Sequence, residues 1–474
     1  MKRGFAVALG PACFLAFALL PSPLHDFESY GSRPAYAAGI ALWMAAWWFT
    51  EAVPIGWTSL IPLLGYPVMG VYGRGPVGDV VLATQPFFDA YIFLFLGGMA
   101  IGAAMEHWNL HRRIALHVCL RVGAEPKRLL WGMLLATAGI SLWISNTATA
   151  VMMMPIALAV LRQVEAHEGR RSEAFGTALL LSVAYAANVG GMGTKIGTAT
   201  NSIFVGHLSK SLGREMSFFE FLAVGLPFVA LFLPVVWAAL WWHGQRDAPK
   251  NSAAREVLEA QLSALGAMSR AEKVTALVFT LAALLWILSD VLRPLLGQAL
   301  GSQILGKHYE ATVAMGAAVL LGLAGALPWG AVRRIPLSAL LLLGGSFAMA
   351  AGIEGSGLST WLGHEVKPLS TLSPLWQFGL STAATIGLSA VASNTATVNL
   401  MLNLLPKSVP LLSTVALAAS CDFALPAGTP PNAIVFGSGA VRLPVMIRLG
   451  AGLDLAAAML LTLYGATYLT WLLE

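Results

Sequence analysis

Long apolar segments are the feature that most limits how this chain can fold. A helix that crosses a bilayer needs about 20 mostly apolar residues. Apolar segments of that length or longer, with a few slightly shorter, lie at 5–21, 36–50, 54–72, 88–105, 129–161, 175–206, 219–242, 272–292, 311–328, 336–353, 373–405, 411–437 and 447–473. Only 11% of the 474 residues are charged, against about 25% in an ordinary soluble domain. We therefore expect an all-α polytopic membrane protein with roughly ten to fourteen crossings or hairpins, and exclude a soluble enzyme, a disordered chain and a nucleic-acid binder.

Two of these segments, 129–161 and 373–405, are too long for one crossing. Each carries a Ser-Asn-Thr group at its middle. A polar group at that place favours a re-entrant hairpin, in which two short helices enter and leave on one side of the membrane. Irregular backbone at membrane depth is tolerated only where protein or an aqueous cavity surrounds it. Each hairpin tip is therefore expected inside the protein.

The distribution of basic residues supports this topology. With a cytoplasmic N-terminus and two hairpins, 19 of the 28 basic residues fall on the cytoplasmic side, eight fall outside, and Lys195 stays within the membrane. An excess of Lys and Arg inside is the normal pattern for plasma or bacterial inner membranes. The hairpins then have opposite orientations, which predicts an inverted repeat, and the C-terminus lies outside. The apolar run that begins the chain has no convincing cleavage site, so a first transmembrane helix is favoured over a signal peptide.

Two polar stretches interrupt the apolar pattern. The stretch 243–271 is charged and helix-prone, and it predicts a cytoplasmic connector between two halves. The stretch 106–128 is basic and predicts an amphipathic helix on the inner membrane surface. Cys13, Cys119 and Cys421 lie in or beside apolar segments without metal-ligand spacing, so we interpret them as packing residues. Asp290, Glu354 and Asp454 are expected near span ends as interfacial polar groups.

A pair of motifs occurs twice in the same order. Ser-Asn-Thr-Ala-Thr stands at 145–149 and again at 393–397, and the later partners are Gly-Thr-Ala-Thr-Asn at 197–201 and Gly-Thr-Pro-Pro-Asn at 428–432. A single Ser, Thr or Asn in a membrane helix commonly serves helix–helix contact. Two paired copies favour a binding site instead. Inverted repeats are typical of secondary transporters, whose sites lie near the midplane where the repeats meet.

These residue types suit an anion held together with cations. Hydroxyl and amide side chains donate and accept hydrogen bonds, and the free N–H groups at a helix N-terminus attract anions. Free carbonyl oxygens at broken helix ends suit Na⁺, and the prolines at 430–431 would interrupt a helix. No cluster of Arg or Lys resembles a phosphate clamp. The expected site therefore consists of neutral dipoles and co-bound cations around an anion.

The chain resembles the divalent anion–sodium symporter family of dicarboxylate, citrate and sulfate carriers. The similarity runs through most of the sequence. It includes Thr-Glu-Ala-Val-Pro at 50–54, Phe-Leu-Gly-Gly at 95–98, the run at 106–113, Leu-Gly-Gly at 343–345, the run at 352–358, both Ser-Asn-Thr motifs, and 425–439. The resemblance implies a homodimer of scaffold and transport domains that works by an elevator motion. It also implies two hairpin tips that hold substrate carboxylates and two sodium ions.

The resemblance also implies the site residues by their motifs. The first sodium site would use Ser141, Ser145, Asn146 and Gly197, and the second would use Ser389, Ala392, Asn394 and Gly428. Substrate would contact Ser145, Asn146, Thr147, Thr198, Ser393, Asn394, Thr395, Thr429 and Pro430. The scaffold would be 1–124 and 272–366, the transport domain 125–242 and 367–474, and the linker 243–271.

Lys195 departs from the family pattern, which has an apolar residue there. A charge at membrane depth is costly and is a functional hypothesis by default. The ammonium group could replace the first sodium ion and make a sodium-independent exchanger, or it could contact a further carboxylate of the substrate. A snorkelling or neutralised lysine is the structural alternative. A second departure is Ala-Thr at 199–200, where the family has prolines or small apolar residues.

The leading functional hypothesis is an anion carrier for C4-dicarboxylates such as succinate, malate or fumarate, driven by Na⁺. Sulfate and citrate remain open within the same fold. A membrane-embedded enzyme would need a cluster of His, Asp, Glu or Cys in a cavity, and the histidines are expected in loops or at span ends. A channel would not need paired hairpins with ion sites.

Overall fold

The structure is a computed structural model that describes residues 3–249, 254–299 and 303–474, and these residues form helices without a β-strand. Up to the linker the helices are α1 Arg3–Leu19, α2 Arg33–Thr50, α3 Ile55–Thr58, α4 Ile61–Val68, α5 Gly75–Thr84, α6 Ala90–His107, α7 Leu110–Val122, α8 Pro126–Ser141, α9 Asn146–Glu168, α10 Glu173–Gly191, α11 Ala199–Ser211 and α12 Phe218–Gly244. After it come α13 Ala254–Ala264, α14 Arg270–Ile287, α15 Ser289–Ala299, α16 Gln303–Leu323, α17 Trp329–Val332, α18 Leu337–Gly355, α19 Leu358–Glu365, α20 Lys367–Ser370, α21 Pro374–Val391, α22 Asn394–Leu404, α23 Val409–Ala418, α24 Pro430–Gly437, α25 Leu443–Tyr464 and α26 Thr470–Leu473.

Both long apolar segments break at their Ser-Asn-Thr groups. Ser145 and Ser393 have extended backbone angles, and each side chain accepts a hydrogen bond from the N–H three residues later, as an N-cap does. The first segment thus divides into α8 and α9, and the second into α21 and α22. The two arms of each pair contact one another. The expected break is confirmed, while the side of the membrane from which each pair enters stays a prediction.

The helices differ in whether they are long enough to cross a membrane. Within the described residues, six helices or helix runs are long and apolar enough to cross a membrane, and a seventh counts if the bent pair Arg270–Ile287 and Ser289–Leu296 is one span. Further apolar helices are shorter, such as Val409–Ala418. By length and composition, the described part of the chain thus has fewer candidate spans than the roughly ten to fourteen crossings or hairpins expected, because several apolar segments divide at polar or glycine-rich breaks. One of the six candidates is α9, Asn146–Glu168, so this arm of the first expected hairpin is longer than the short helix predicted.

The buried side chains form two apolar clusters. The smaller cluster joins α2, α4 and neighbouring segments to α18 and α19. The larger cluster contains α6 to α12, α14, α16 and most of α21 to α26. Helix α18 packs on α2, α3, α4 and α5 on one side and on α11 on the other. It therefore lies between the N-terminal helices and the helices that carry the repeated motifs.

The predicted amphipathic helix is present as α7. It buries Leu110, Leu116 and Cys119, and it packs on α8 and α13. Arg113 forms an ion pair with Glu272 at 2.6 Å, which ties α7 to the start of α14. The connector 243–271 contains one helix, α13, and residues 250–253 lie outside the described part of the chain. Cys119 and Cys421 are buried, as packing residues should be, whereas Cys13 is only half-buried.

Candidate functional site

The same hydrogen bonds recur below both hairpin tips. In the first half, Oγ of Ser141 donates to the carbonyl oxygen of Ala187 at 2.7 Å and lies 3.0 Å from Oδ1 of Asn146. In the second half, Oγ of Ser389 donates to the carbonyl oxygen of Ala419 at 2.6 Å, and Asn394 again places Oδ1 at 3.0 Å. Each tip is thus tied to the helix that precedes the Gly-Thr motif.

The Gly-Thr motifs are held by their own asparagines. Nδ2 of Asn201 donates to the carbonyl oxygens of Gly191 and Thr194, at 2.9 and 2.7 Å. Nδ2 of Asn432 donates to those of Asp422 and Leu425, at 2.8 and 3.0 Å. These amides satisfy backbone carbonyl groups where the helices are interrupted, so the irregular backbone is supported inside the protein.

The two halves meet through buried polar side chains. Oγ1 of Thr429 donates to Oδ1 of Asn188 at 3.2 Å, and the Nδ2 group of that asparagine lies 3.5 Å from Oδ1 of Asn432. The hydroxyls of Thr200 and Ser420 are 3.3 Å apart. The four breaks in the helices therefore converge on one polar region, although their motifs lie far apart in sequence.

The predicted site residues differ in exposure in a regular way. Buried positions are Ser141, Gly197, Ser389, Ala392, Gly428 and Thr429, half-buried positions are Asn146, Thr198, Ser393, Asn394 and Thr395, and exposed positions are Ser145, Thr147 and Pro430. The helices α9, α11, α22 and α24 each begin within these motifs, with Ser145, Thr198, Ser393 and Thr429 as N-caps. The N-termini of α9, α11 and α22 carry backbone N–H groups that suit an anion. Helix α24 begins with Pro430 and Pro431, which have no N–H group, so it contributes mainly through its dipole.

The oxygen atoms beneath the tips suit a hard cation. In each half a serine hydroxyl, an asparagine Oδ1 and backbone carbonyl oxygens lie close together. A methyl group placed on Gly197 would stand 2.5 Å from the carbonyl oxygen of Gly191, and one on Gly428 would stand 3.4 Å from that of Ala390. Both glycines therefore lie directly against backbone oxygens, and the residues present fit Na⁺.

Lys195 is not brought together with the other predicted site residues. Its Nζ forms an ion pair with Oε2 of Glu310 at 2.7 Å, donates to the carbonyl oxygen of Met216, and lies 5.8 Å from the ring centroid of Tyr91. The lysine side chain is 2% exposed. Within the described chain, no contact joins this ammonium group to a Ser-Asn-Thr residue. Its partner, Glu310, was not anticipated from the sequence.

Sequence reasoning missed two further residues. Asn188 links the halves, and nothing in its apolar context distinguishes it from an asparagine at a helix contact. Asp422 lies beneath the second tip, where Nδ2 of Asn394 donates to its Oδ1 at 3.4 Å. An aspartate inside the apolar segment 411–437 was a signal that the motif comparison passed over. Asp454, expected at a span end, lies within α25 and accepts a hydrogen bond from the N–H of Phe423 at 2.8 Å.

Known proteins resemble this chain along nearly its whole length. The family model described as the sodium:sulfate symporter transmembrane region matches residues 7–474. The sodium-dependent dicarboxylate transporters SdcS of Staphylococcus saprophyticus and Staphylococcus aureus are 36% and 34% identical to it, and each alignment covers 96% of this chain and 89% of the relative. Among solved structures, the YdaH transporter of Alcanivorax borkumensis has a TM-score of 0.54 at 15% identity, over 78% of this chain and 84% of that one.

The similarity to these transporters is consistent with the apolar helices and with the hydrogen bonds that recur in the two halves of the chain. At 15% identity the YdaH likeness concerns the fold alone. The family match covers almost every residue, including both Ser-Asn-Thr motifs. The protein is therefore a multi-pass membrane transporter and not an enzyme, and it belongs to the sodium:sulfate symporter family, the divalent anion–sodium symporter family that its motifs resemble.

Proposed function

We propose that this protein moves C4-dicarboxylates such as succinate, malate or fumarate across the plasma membrane, together with Na⁺. The observation that carries the proposal is the convergence of four helix N-termini above two matched sets of oxygen ligands. The staphylococcal relatives are described as sodium-dependent dicarboxylate transporters, which favours dicarboxylate over sulfate and citrate within this family.

The substrate is held by dipoles in our proposal. One carboxylate meets the N-terminus of α9 with Ser145, Asn146 and Thr147, and the other meets α22 with Ser393, Asn394 and Thr395. Thr198, Thr429 and Pro430 complete the site from α11 and α24. Because each tip contributes one helix N-terminus, the site suits an anion with two ends. Neutral donors bind a dianion and still release it.

Two sodium ions balance the charge of the substrate. The first is assigned to Ser141, Ser145, Asn146 and Gly197, and the second to Ser389, Ala392, Asn394 and Gly428. A cation beneath each tip fixes the orientation of the asparagine side chain, so one N–H of its amide turns toward the substrate. Cation binding then prepares the anion site, which provides a physical basis for coupling.

Transport is proposed to follow an elevator motion within a homodimer. The transport domain is 125–242 with 367–474, the scaffold is 1–124 with 272–366, and 243–271 connects them. Helix α11 packs on α6 and α18, and α22 packs on α2 and α18. In our proposal the transport domain slides along the scaffold at these contacts. The N-terminus is cytoplasmic, the C-terminus lies outside, and the two halves form an inverted repeat.

The position of the Lys195 ammonium group favours sodium symport over sodium-independent exchange. A lysine that replaced a sodium ion would direct its ammonium group beneath the first tip. Here that charge is matched by Glu310 at 2.7 Å, so it leaves the first set of oxygen ligands free for Na⁺. Exchange stays the alternative outcome of the experiment.

The test is uptake of radiolabelled succinate into proteoliposomes, with an inward Na⁺ gradient compared with an equal choline gradient. Uptake that requires Na⁺ and is inhibited by malate and fumarate is the expected result. Variants Asn146→Ala and Asn394→Ala should each lose uptake. Equal uptake with both gradients would refute sodium coupling. Preferred uptake of sulfate or citrate would refute the proposed substrate while leaving the site intact.

A further inference from the structure

Asp422 is a buried carboxylate with a free oxygen at the second cation site. The residue is completely buried, and among the described residues Oδ2 has no hydrogen-bond partner. A methyl group built on Gly428 would stand 2.5 Å from this oxygen and 3.4 Å from the carbonyl oxygen of Ala390. Its other oxygen, Oδ1, meets Nδ2 of Asn394. The free oxygen therefore faces the space between Gly428 and the hairpin tip.

The first half has no carboxylate at the matching position. Gly191 precedes its Gly-Thr motif by six residues, as Asp422 does in the second half. The backbone oxygens of both residues accept hydrogen bonds from the motif asparagines, at 2.9 and 2.8 Å. A side chain on Gly191 would come within 2.1 Å of Oδ1 of Asn146. The two sites thus share backbone geometry and differ by one negative charge.

That charge has no basic partner in the described chain. None of the ion pairs formed there includes Asp422 or Asp454. Asp454 lies close to Asp422, because its Oδ1 accepts a hydrogen bond from the N–H of Phe423, the next residue in the chain. Burying a carboxylate without a counter-charge is costly, and ionisable residues within the membrane are expected to pair or to serve transport. A bound cation would meet this requirement.

We propose that Asp422 is a direct ligand of the sodium ion in the second half, through Oδ2. The inference rests on the proposed sodium coupling and adds a difference between the two sites. The second site holds Na⁺ with a full negative charge, whereas the first holds it with neutral oxygen atoms. The second site therefore fills at lower Na⁺ concentration.

The test is a Na⁺ titration of thermal stability in detergent without substrate, with choline keeping the ionic strength constant. In Asp422→Asn the Na⁺ concentration for half-maximal stabilisation should rise at least tenfold. Without Na⁺, the same variant should unfold at a higher temperature than the unmodified protein, because the unpaired carboxylate is gone. The matched control is Asp454→Asn, which keeps an acceptor for the N–H of Phe423 and should stay within threefold of the unmodified protein.

Each outcome decides the proposal. An unchanged titration in Asp422→Asn, or an equal rise in Asp454→Asn, would overturn direct ligation. If the unmodified protein shows neither Na⁺ stabilisation nor Na⁺-dependent succinate uptake, the sodium coupling fails as well. Should Asp422→Asn not purify as a single species, Gly428→Ala takes its place, since its added methyl group would fill the space before Oδ2. A half-maximal concentration unchanged in that variant would also overturn the proposal.

Discussion

Removal of only one partner of the ion pair between Lys195 and Glu310 should strongly lower the free energy of unfolding. Nζ and Oε2 are 2.7 Å apart, and the two side chains are 2% and 15% exposed. Leaving one charge of a buried pair without its partner costs about 3–5 kcal/mol. Glu310 also accepts from the N–H of Phe218 at 2.5 Å through Oε1, so it holds the start of α12. We expect Lys195→Met to lose stability in that range.

A double-mutant cycle measures this coupling. Lys195→Met, Glu310→Gln and the double variant are unfolded with SDS in mixed micelles, with tryptophan fluorescence as the signal. The double variant should lose less than the sum of the single losses, by about 2 kcal/mol or more, because neither charge is then left alone. Additive losses, with a coupling below about 0.5 kcal/mol, would refute the reasoning. Succinate uptake by the double variant should still require Na⁺, since neither group belongs to the proposed sodium sites.

Three further predictions concern other contacts. Ser389→Ala removes the hydroxyl between Asn394 and a backbone carbonyl group, so the Na⁺ concentration for half-maximal uptake should rise about five- to tenfold, equal to about 1–1.4 kcal/mol. An unchanged value would argue against the role of Ser389 as a ligand. Arg113→Gln leaves a largely buried carboxylate on α14 without its partner and should cost about 3 kcal/mol of unfolding free energy, measured in the same SDS assay with uptake preserved. Gly345→Ala brings a methyl group within 2.4 Å of a backbone oxygen near α3 and should destabilise the protein by about 1–3 kcal/mol. Gly316→Ala has open space around it and should be neutral or slightly stabilising, because alanine favours a helix over glycine. Equal effects of the two substitutions would contradict the packing argument.

The hairpin breaks could be predicted because their cause is local. A serine that caps the following helix needs only the few residues around it, and the Ser-Asn-Thr motif carries that information in both halves. The amphipathic helix α7 was predictable for a similar reason, since its basic and apolar residues lie together in one short stretch of the sequence. Asn188 and Glu310 could not be found in this way. Their partners lie more than 100 residues away in sequence, and no local pattern marks the pairing.

Lys195 illustrates where reasoning from sequence reaches its limit. Its position two residues before Gly197 placed it next to the first sodium site along the chain. The direction of its side chain depends on α16, which approaches from the other half of the sequence and supplies the counter-charge. Asp422 is the opposite case: its apolar context was visible in the sequence, but its free oxygen became evident only from the packing of Gly428.

The sequence by itself determined the class of the protein, because the hydrophobic effect and helix length act on each apolar segment separately. It also determined the polar groups at the breaks, since capping is a contact between near neighbours. The tertiary structure decided which charges meet, which asparagine joins the halves, and which carboxylate faces the second tip. Those outcomes depend on the close approach of helices from distant parts of the chain, where a few ångströms separate an ion pair from an unpaired charge.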